Sequence, residues 1–164
     1  MELKGKIALV TGGAKRVGRE IVLTLAKKGT SILLHYNTSK AEAQAVEAEI
    51  KSAGVDCLLF QADMAKPVEI QRMTKEIFDS GRAIDILVNN ASLFYKTPIE
   101  TAQESDWDML IDVNLKAPFL LSKEIGRRMA KGAGGKIINI ADWSGFRPYK
   151  NYAPYCASKG GLIP

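Results

Sequence analysis

Tyr155 and Lys159 stand four residues apart, a spacing that puts both side chains on one face of a helix. An ammonium beside a phenol favours the phenolate. The pair therefore predicts a tyrosine drawn down towards working pH, a usable general acid or base. Asp142, thirteen residues before Tyr155, follows an apolar run that would deliver it to the same rim. Far upstream, Thr11-Gly12-Gly13-Ala14-Lys15-Arg16-Val17-Gly18 closes another apolar run and leads directly into a helical pattern. Glycines there permit a tight turn and close approach to a phosphate, and a helix N-terminus offers free N–H groups and a positive dipole end. Tyr-x-x-x-Lys occurs often by chance, and a glycine turn is often only a turn. Together, in the right order of elements, they become specific.

The nature of the nucleotide is written in the charges around that turn. Lys15 and Arg16 would project near a ribose and pyrophosphate. The second apolar run ends Leu34-His35-Tyr36-Asn37-Thr38-Ser39, with no acid. An NAD site commonly places Asp or Glu there for the ribose 2′-hydroxyl, whereas a 2′-phosphate prefers cations and hydroxyls. The basic loop, with His35, Asn37 and Ser39 opposite, favours NADP(H). Taken alone, Lys15 reads equally well as a solvated cation, so the missing acid carries more of the inference. Asp63 follows the third run and is placed to accept from an adenine amino group. Asn89-Asn90-Ala91 follows the fourth, where side-chain amides can brace the loop. Singly, each is also an ordinary turn-former.

These residues need a scaffold, and the chain alternates short apolar runs with longer amphipathic ones. Lys6–Thr11, Ser31–Tyr36, Asp56–Gln61, Ile84–Val88 and Lys136–Ile140 are predicted strands. Arg16–Lys28, Lys40–Ala53 and Pro67–Ser80 are predicted helices, the first two ended by Gly29 and Gly54. A long helix runs from about Ser105 to Lys131, bent at Pro118, with Trp107 and Met109 packing it. A last helix opens near Tyr152–Tyr155. Nearly continuous apolar strands alternating with helices imply an α/β fold, a doubly wound parallel sheet covered on both faces. Ligands of such sheets sit beyond the carboxyl ends of the strands, where every residue singled out above falls.

Composition narrows the alternatives. The 164 residues, 46% hydrophobic and 25% charged, are those of one ordinary globular domain. No apolar run approaches the roughly 18–20 residues of a membrane span, and the start lacks a secretory signal pattern, which predicts a cytoplasmic protein without a membrane partner. The net charge of +5 is scattered rather than gathered into a stripe with aromatics, which argues against nucleic acid. Cys57 and Cys156 lack metal-ligand spacing, and a single histidine, His35, excludes multi-histidine metal sites. A hydrolase triad around His35 fails for want of a nucleophile elbow.

The motifs resemble those of the short-chain dehydrogenases/reductases along the whole chain: Thr11–Gly18, Asp63, Asn89-Asn90-Ala91, Asn114 and Tyr155…Lys159. The resemblance implies a Rossmann-like NADP(H)-binding domain over 1–164 in which Gly12, Lys15, Arg16, Val17, Gly18, His35, Tyr36, Asn37, Ser39, Asp63, Asn90, Ala91 and Ser92 contact the cofactor. It implies that Tyr155 protonates substrate, that Lys159 binds the nicotinamide ribose and lowers the tyrosine pKa, and that Asn114 holds a proton-relay water. Three positions depart from the common pattern. Arg16 stands for the middle glycine, Ser92 for the glycine after Asn-Asn-Ala, and Asp142 for the catalytic serine.

Those departures, with His35-Tyr36-x-x-Ser39 and Asn90–Tyr95, resemble the pteridine reductase branch. There Arg16 and Ser92 would contact cofactor phosphate, with Arg16 also touching the pterin. Phe94 would stack the pterin against the nicotinamide, and Asp142 with Tyr155 would deliver protons to ring nitrogens. Phe94 reads equally well as an apolar loop anchor. The resemblance further implies a small-molecule substrate and a homo-oligomer, dimer or tetramer. Measured against the family, five of the usual seven strands are present, so the domain reads as incomplete at its C-terminus and weakly active in isolation. A reductase of 3-oxoacyl thioesters, or a chain that binds NADP(H) without turnover, are the alternatives.

Overall fold

The computed structural model describes residues 2–163. Five strands, β1 (Ile7–Val10), β2 (Ser31–Tyr36), β3 (Cys57–Gln61), β4 (Ile86–Asn89) and β5 (Lys136–Asn139), form one parallel sheet in the order β3-β2-β1-β4-β5. The order reverses between β1 and β4. Such a switch is where sheets of this kind place their ligands.

Side-chain alternation explains why both faces are covered. Ala8 and Val10 of β1 point into a core with Val22 and Leu23 of α1 (Arg16–Lys27) and Val46 and Ile50 of α2 (Lys40–Ser52). Leu9, between them, points the other way, towards Met73 and Ile77 of α3 (Pro67–Asp79) and Leu121 and Ile125 of α5 (Ala117–Lys131). Leu9, Leu33 and Leu87 are each no more than 2% exposed, and burying one such side chain is worth about 1.5–3 kcal/mol. The doubly wound sheet thus removes both apolar stripes of β1, β2 and β4 from water. β5 is different. It lies at the edge of the described sheet, exposed along its length, with Ile137 and Ile138 open to solvent.

The long helix is not one bent rod. α4 (Glu104–Ile111) passes into a π-helical turn, Asp112–Lys116, before α5 begins. There the Ala117 N–H reaches back five residues to the Asp112 carbonyl. Pro118 has no N–H to return to Asn114, four residues earlier, so a regular turn could not close at this point. Trp107 and Met109, expected to pack the helix, are instead about half exposed. The last helix, α6 (Ala153–Gly160), packs on α4 through Leu110, Tyr155 and Cys156.

Candidate active site

The glycine loop is a built cradle. Gly12 sits at φ +65°, and a Cβ on Gly18 would lie 2.0 Å from the Gly12 carbonyl oxygen and 2.6 Å from Asn90 Nδ2. Asn90 Nδ2 donates to the carbonyls of Thr11 (2.8 Å) and Gly12 (3.2 Å). The Thr11 hydroxyl accepts from the N–H groups of Asn90 and Ala91, both at 2.9 Å. The ends of β1 and β4 are therefore one bonded unit across the switch point. Beyond it, α1 opens with no side-chain cap and no acid in its first turn, leaving its N–H groups and dipole to an anion.

Arg16 carries this geometry at a penalty. Its φ is +49°, in the left-handed region that favours glycine, and its side chain is exposed. Such a residue is strained by roughly 1–2 kcal/mol. Arg16→Gly is expected to stabilise the fold by about 0.5–1 kcal/mol, after the greater freedom of glycine in the unfolded chain is subtracted. Urea unfolding checks this, and a lowered midpoint would show that the arginine side chain repays its strain within the protein itself.

His35 departs from expectation. The sequence puts it opposite the loop as a contributor to a phosphate site, but it is 1% exposed and both ring nitrogens are taken. Nδ1 accepts from the Gly12 N–H at 3.0 Å, and Nε2 donates to the Ala62 carbonyl at 2.9 Å. Burial lowers its pKa from 6.5 to about 4, so it is neutral at physiological pH. His35 is a brace between the glycine loop and the end of β3, not a phosphate ligand. The cleft it floors, about 390 Å³, is also lined by Gly12, Lys15, Tyr36, Asn37, Ser39, Asp63, Ala91 and Ser92. Thr38 and Leu93 join them without having been singled out. Asp63 is at once a lining residue and a turn-former, since its Oδ1 accepts from the Ala65 N–H at 3.0 Å. Arg16 lines a separate groove outside the cleft. There Lys15 Nζ meets Glu42 Oε1 at 2.7 Å, an acid contributed by α2 that a reading of the end of β2 could not find.

Across the switch point, Tyr155 is 5% exposed and its hydroxyl donates to Asp142 Oδ2 at 3.1 Å. The Ser144 N–H holds Oδ1 at 2.7 Å, which aims Oδ2 at the phenol. Lys159 Nζ donates to the Ile140 carbonyl at 2.9 Å and stands 5.9 Å from the Tyr155 ring centroid. The four-residue spacing does place these side chains together. It does not draw the tyrosine down. Burial and then the Asp142 charge push the Tyr155 pKa up, so the phenol holds its proton. Burial also opposes the charge of Asp142, but the facing groups of Ser144, Tyr155 and Tyr149 outweigh it and hold the carboxyl below its ordinary range. Burial lowers Lys159.

Asn114, in the π-helical turn and 1% exposed, is saturated. Oδ1 accepts from the Leu93 N–H (2.8 Å) and the Ser92 hydroxyl (3.2 Å), while Nδ2 donates to the Leu93 carbonyl (2.9 Å) and to Ser158 Oγ (3.1 Å). Its side chain ties the loop after β4 to α6. Phe94 lies parallel to Tyr152, ring centroids 4.6 Å apart, and edge-on to Tyr155 at 4.7 Å, yet is 57% exposed. It is a loop anchor on one face and open on the other. Tyr152, which the sequence reading leaves out of the site, precedes the first turn of α6 as its N-cap residue.

The comparisons with known proteins agree with this architecture. The family model for short chain dehydrogenases matches residues 6–164. A 3-oxoacyl-acyl-carrier-protein reductase of Staphylococcus epidermidis is 37% identical over 158 residues, which are 96% of this chain and 65% of the relative. The corresponding reductase of a Synechocystis species is 35% identical over 161 residues, 98% of this chain and 65% of that one. Among solved structures, a metagenomic short-chain oxidoreductase in complex with NADP superposes with a TM-score of 0.91 at 35% identity, covering 99% of this chain and 73% of its own. The chain thus spans 65% of the length of these curated relatives.

Proposed function

The chain belongs to the short-chain dehydrogenase family, and from that premise we propose that it carries out NADPH-dependent reduction of a C=N or C=O bond in a flat, pterin- or dihydrofolate-like ring. The observation that carries the reading is the hydrogen bond of 3.1 Å between the Tyr155 hydroxyl and Asp142. A serine at position 142 would orient a ketone oxygen; a carboxylate fixed against a phenol instead suits proton delivery to a ring nitrogen.

The residues present fit a nicotinamide dinucleotide. Gly18 leaves a gap beside the Gly12 carbonyl that no Cβ could enter, and the uncapped start of α1 presents donors to a pyrophosphate. Lys15, Asn37 and Ser39, with no acid at the end of β2, support a 2′-phosphate, and the NADP-bound relative is in keeping with that choice. Bound there, the cofactor supplies the hydride. Tyr155 supplies the proton at its hydroxyl, which its raised pKa keeps loaded at neutral pH. Asp142 orients that hydroxyl. Lys159, anchored on the Ile140 carbonyl, lies beside the phenol, where an ammonium can steady the charge left after transfer and reach a ribose hydroxyl. With its side chain saturated, Asn114 offers a water only its main-chain carbonyl, which Pro118 cannot bond. The open face of Phe94 is a stacking surface for the ring, worth about 0.5–1.5 kcal/mol beyond burial. Exposed Trp107 and Phe119 on α4 and α5 suit a homo-oligomeric contact.

A second reading, reduction of a 3-oxoacyl thioester, is favoured by the names of the two reductases reported above. NADPH oxidation separates the two. Turnover with dihydrobiopterin and none with an acetoacetyl thioester is expected; the reverse pattern would sink the pterin assignment. Tight NADPH binding with neither substrate consumed would leave the chain a binder without turnover.

A further inference from the structure

Resting on the NADP(H) reading above, we propose that Glu42 sets how strongly this chain separates NADP(H) from NAD(H), by holding the Lys15 ammonium away from a 2′-phosphate. Lys15 is the one cation that lines the nucleotide cleft among the described residues, because the histidine beneath it is neutral. Its ammonium nevertheless points out of the cleft, into the groove between α1 and α2, where Glu42 takes it at 2.7 Å. Glu42 sits in the first turn of α2, three residues after the cleft-lining Ser39, and lines the adjoining groove that Lys15 shares with the cleft. The bond from Lys15 holds its carboxyl below the ordinary range, so the acid is charged wherever the protein works.

A 2′-phosphate entering beside Asn37 and Ser39 must therefore compete with a carboxylate for the one cation that lines the cleft among the described residues. A 2′-hydroxyl meets no such competition. Arg19 does not stand in for Lys15, since it is bound to Glu20 at 3.0 Å and Glu49 at 2.6 Å. The Lys15–Glu42 pair is half exposed on both sides, so it contributes little to folding. Its effect belongs in selectivity.

The test is equilibrium titration of NADPH and of NADH onto the purified chain as wild type, Glu42→Gln, Lys15→Met and the double variant. Glu42→Gln is expected to raise the NADPH-to-NADH affinity ratio about fivefold at low salt, an effect that shrinks as salt is added. Lys15→Met is expected to lower the ratio. In that background Glu42→Gln should change it by less than about twofold, because the acid acts through the lysine. An unresponsive Glu42→Gln beside a responsive Lys15→Met would overturn the proposal alone, as would a full gain that persists without Lys15. A wild type that prefers NADH and ignores Lys15→Met would overturn the cofactor reading and this proposal with it.

Discussion

Tyr155→Phe is expected to lower kcat about a thousandfold, within the usual range for removing a general acid, while NADPH affinity stays within about twofold of wild type. The confinement of the effect follows from how little else the hydroxyl does. The phenylalanine ring keeps the edge contact with Phe94 and the burial against α4. Lys159 is held by the Ile140 carbonyl and Asp142 Oδ1 by the Ser144 N–H, so neither depends on the phenol for its place. What disappears is the atom that carries the proton. Single-turnover rates on whichever substrate supports reaction measure the loss, and titration of NADPH measures the binding. A loss under tenfold would shift the proton to Asp142 and undo the assignment of Tyr155. In the wild type, the raised pKa of Tyr155 and the lowered one of Asp142 predict a reduction rate that stays level across neutral pH and falls only on the alkaline side.

The second large effect concerns stability. His35 binds a proton near pH 6.5 when the chain is unfolded but only near pH 4 in the folded protein. Between those values the unfolded state takes up more protons, so stability falls as the pH is lowered and is full only above about 6.5. The whole window is worth about 3 kcal/mol, of which about 2 kcal/mol is lost by pH 5. Glu42, Glu69 and Asp142 also lose stabilisation in acid, but their ordinary values of 4.5, 4.5 and 3.8 place that loss lower. The interval from pH 6.5 to 5 therefore belongs to the histidine. Urea unfolding of the wild type at pH 7.5 and pH 5 should show the drop, and His35→Gln, whose amide can keep both bonds, should flatten it. An equal drop in the variant would locate the acid sensitivity elsewhere.

The sheet was readable because its strands announce themselves. Ser31–Tyr36 has the same bounds in sequence and structure, and Arg16–Lys27 ends where Gly29 said a helix should stop. Apolar period and glycine punctuation are local signals. Spacing likewise brought Tyr155, Lys159 and Asp142 to one rim. The π-helical turn was not readable, because a proline in a helical pattern specifies a lost hydrogen bond without specifying whether the chain kinks or widens. His35 was misread for a related reason: a histidine beside a phosphate loop looks basic until its two bonded nitrogens and its burial are seen. The pKa of Tyr155 went the wrong way because the four-residue rule sees the lysine and not the carboxylate thirteen residues off. Glu42 came from another element altogether. For His35, Tyr155 and Glu42 the deciding contact lies outside the local sequence pattern.

Asn114 spends its whole side chain joining the loop that carries Ser92 and Phe94 to the helix that carries Tyr155 and Lys159. A single amide thus pins the loop of the proposed nucleotide cleft to the helix of the proposed proton donor. A smaller or differently shaped side chain at this position is expected to loosen both at once. A change of ring or cofactor preference is therefore best sought by substitution at the rims, at positions such as 16, 42, 94 and 142, with Asn114 left in place.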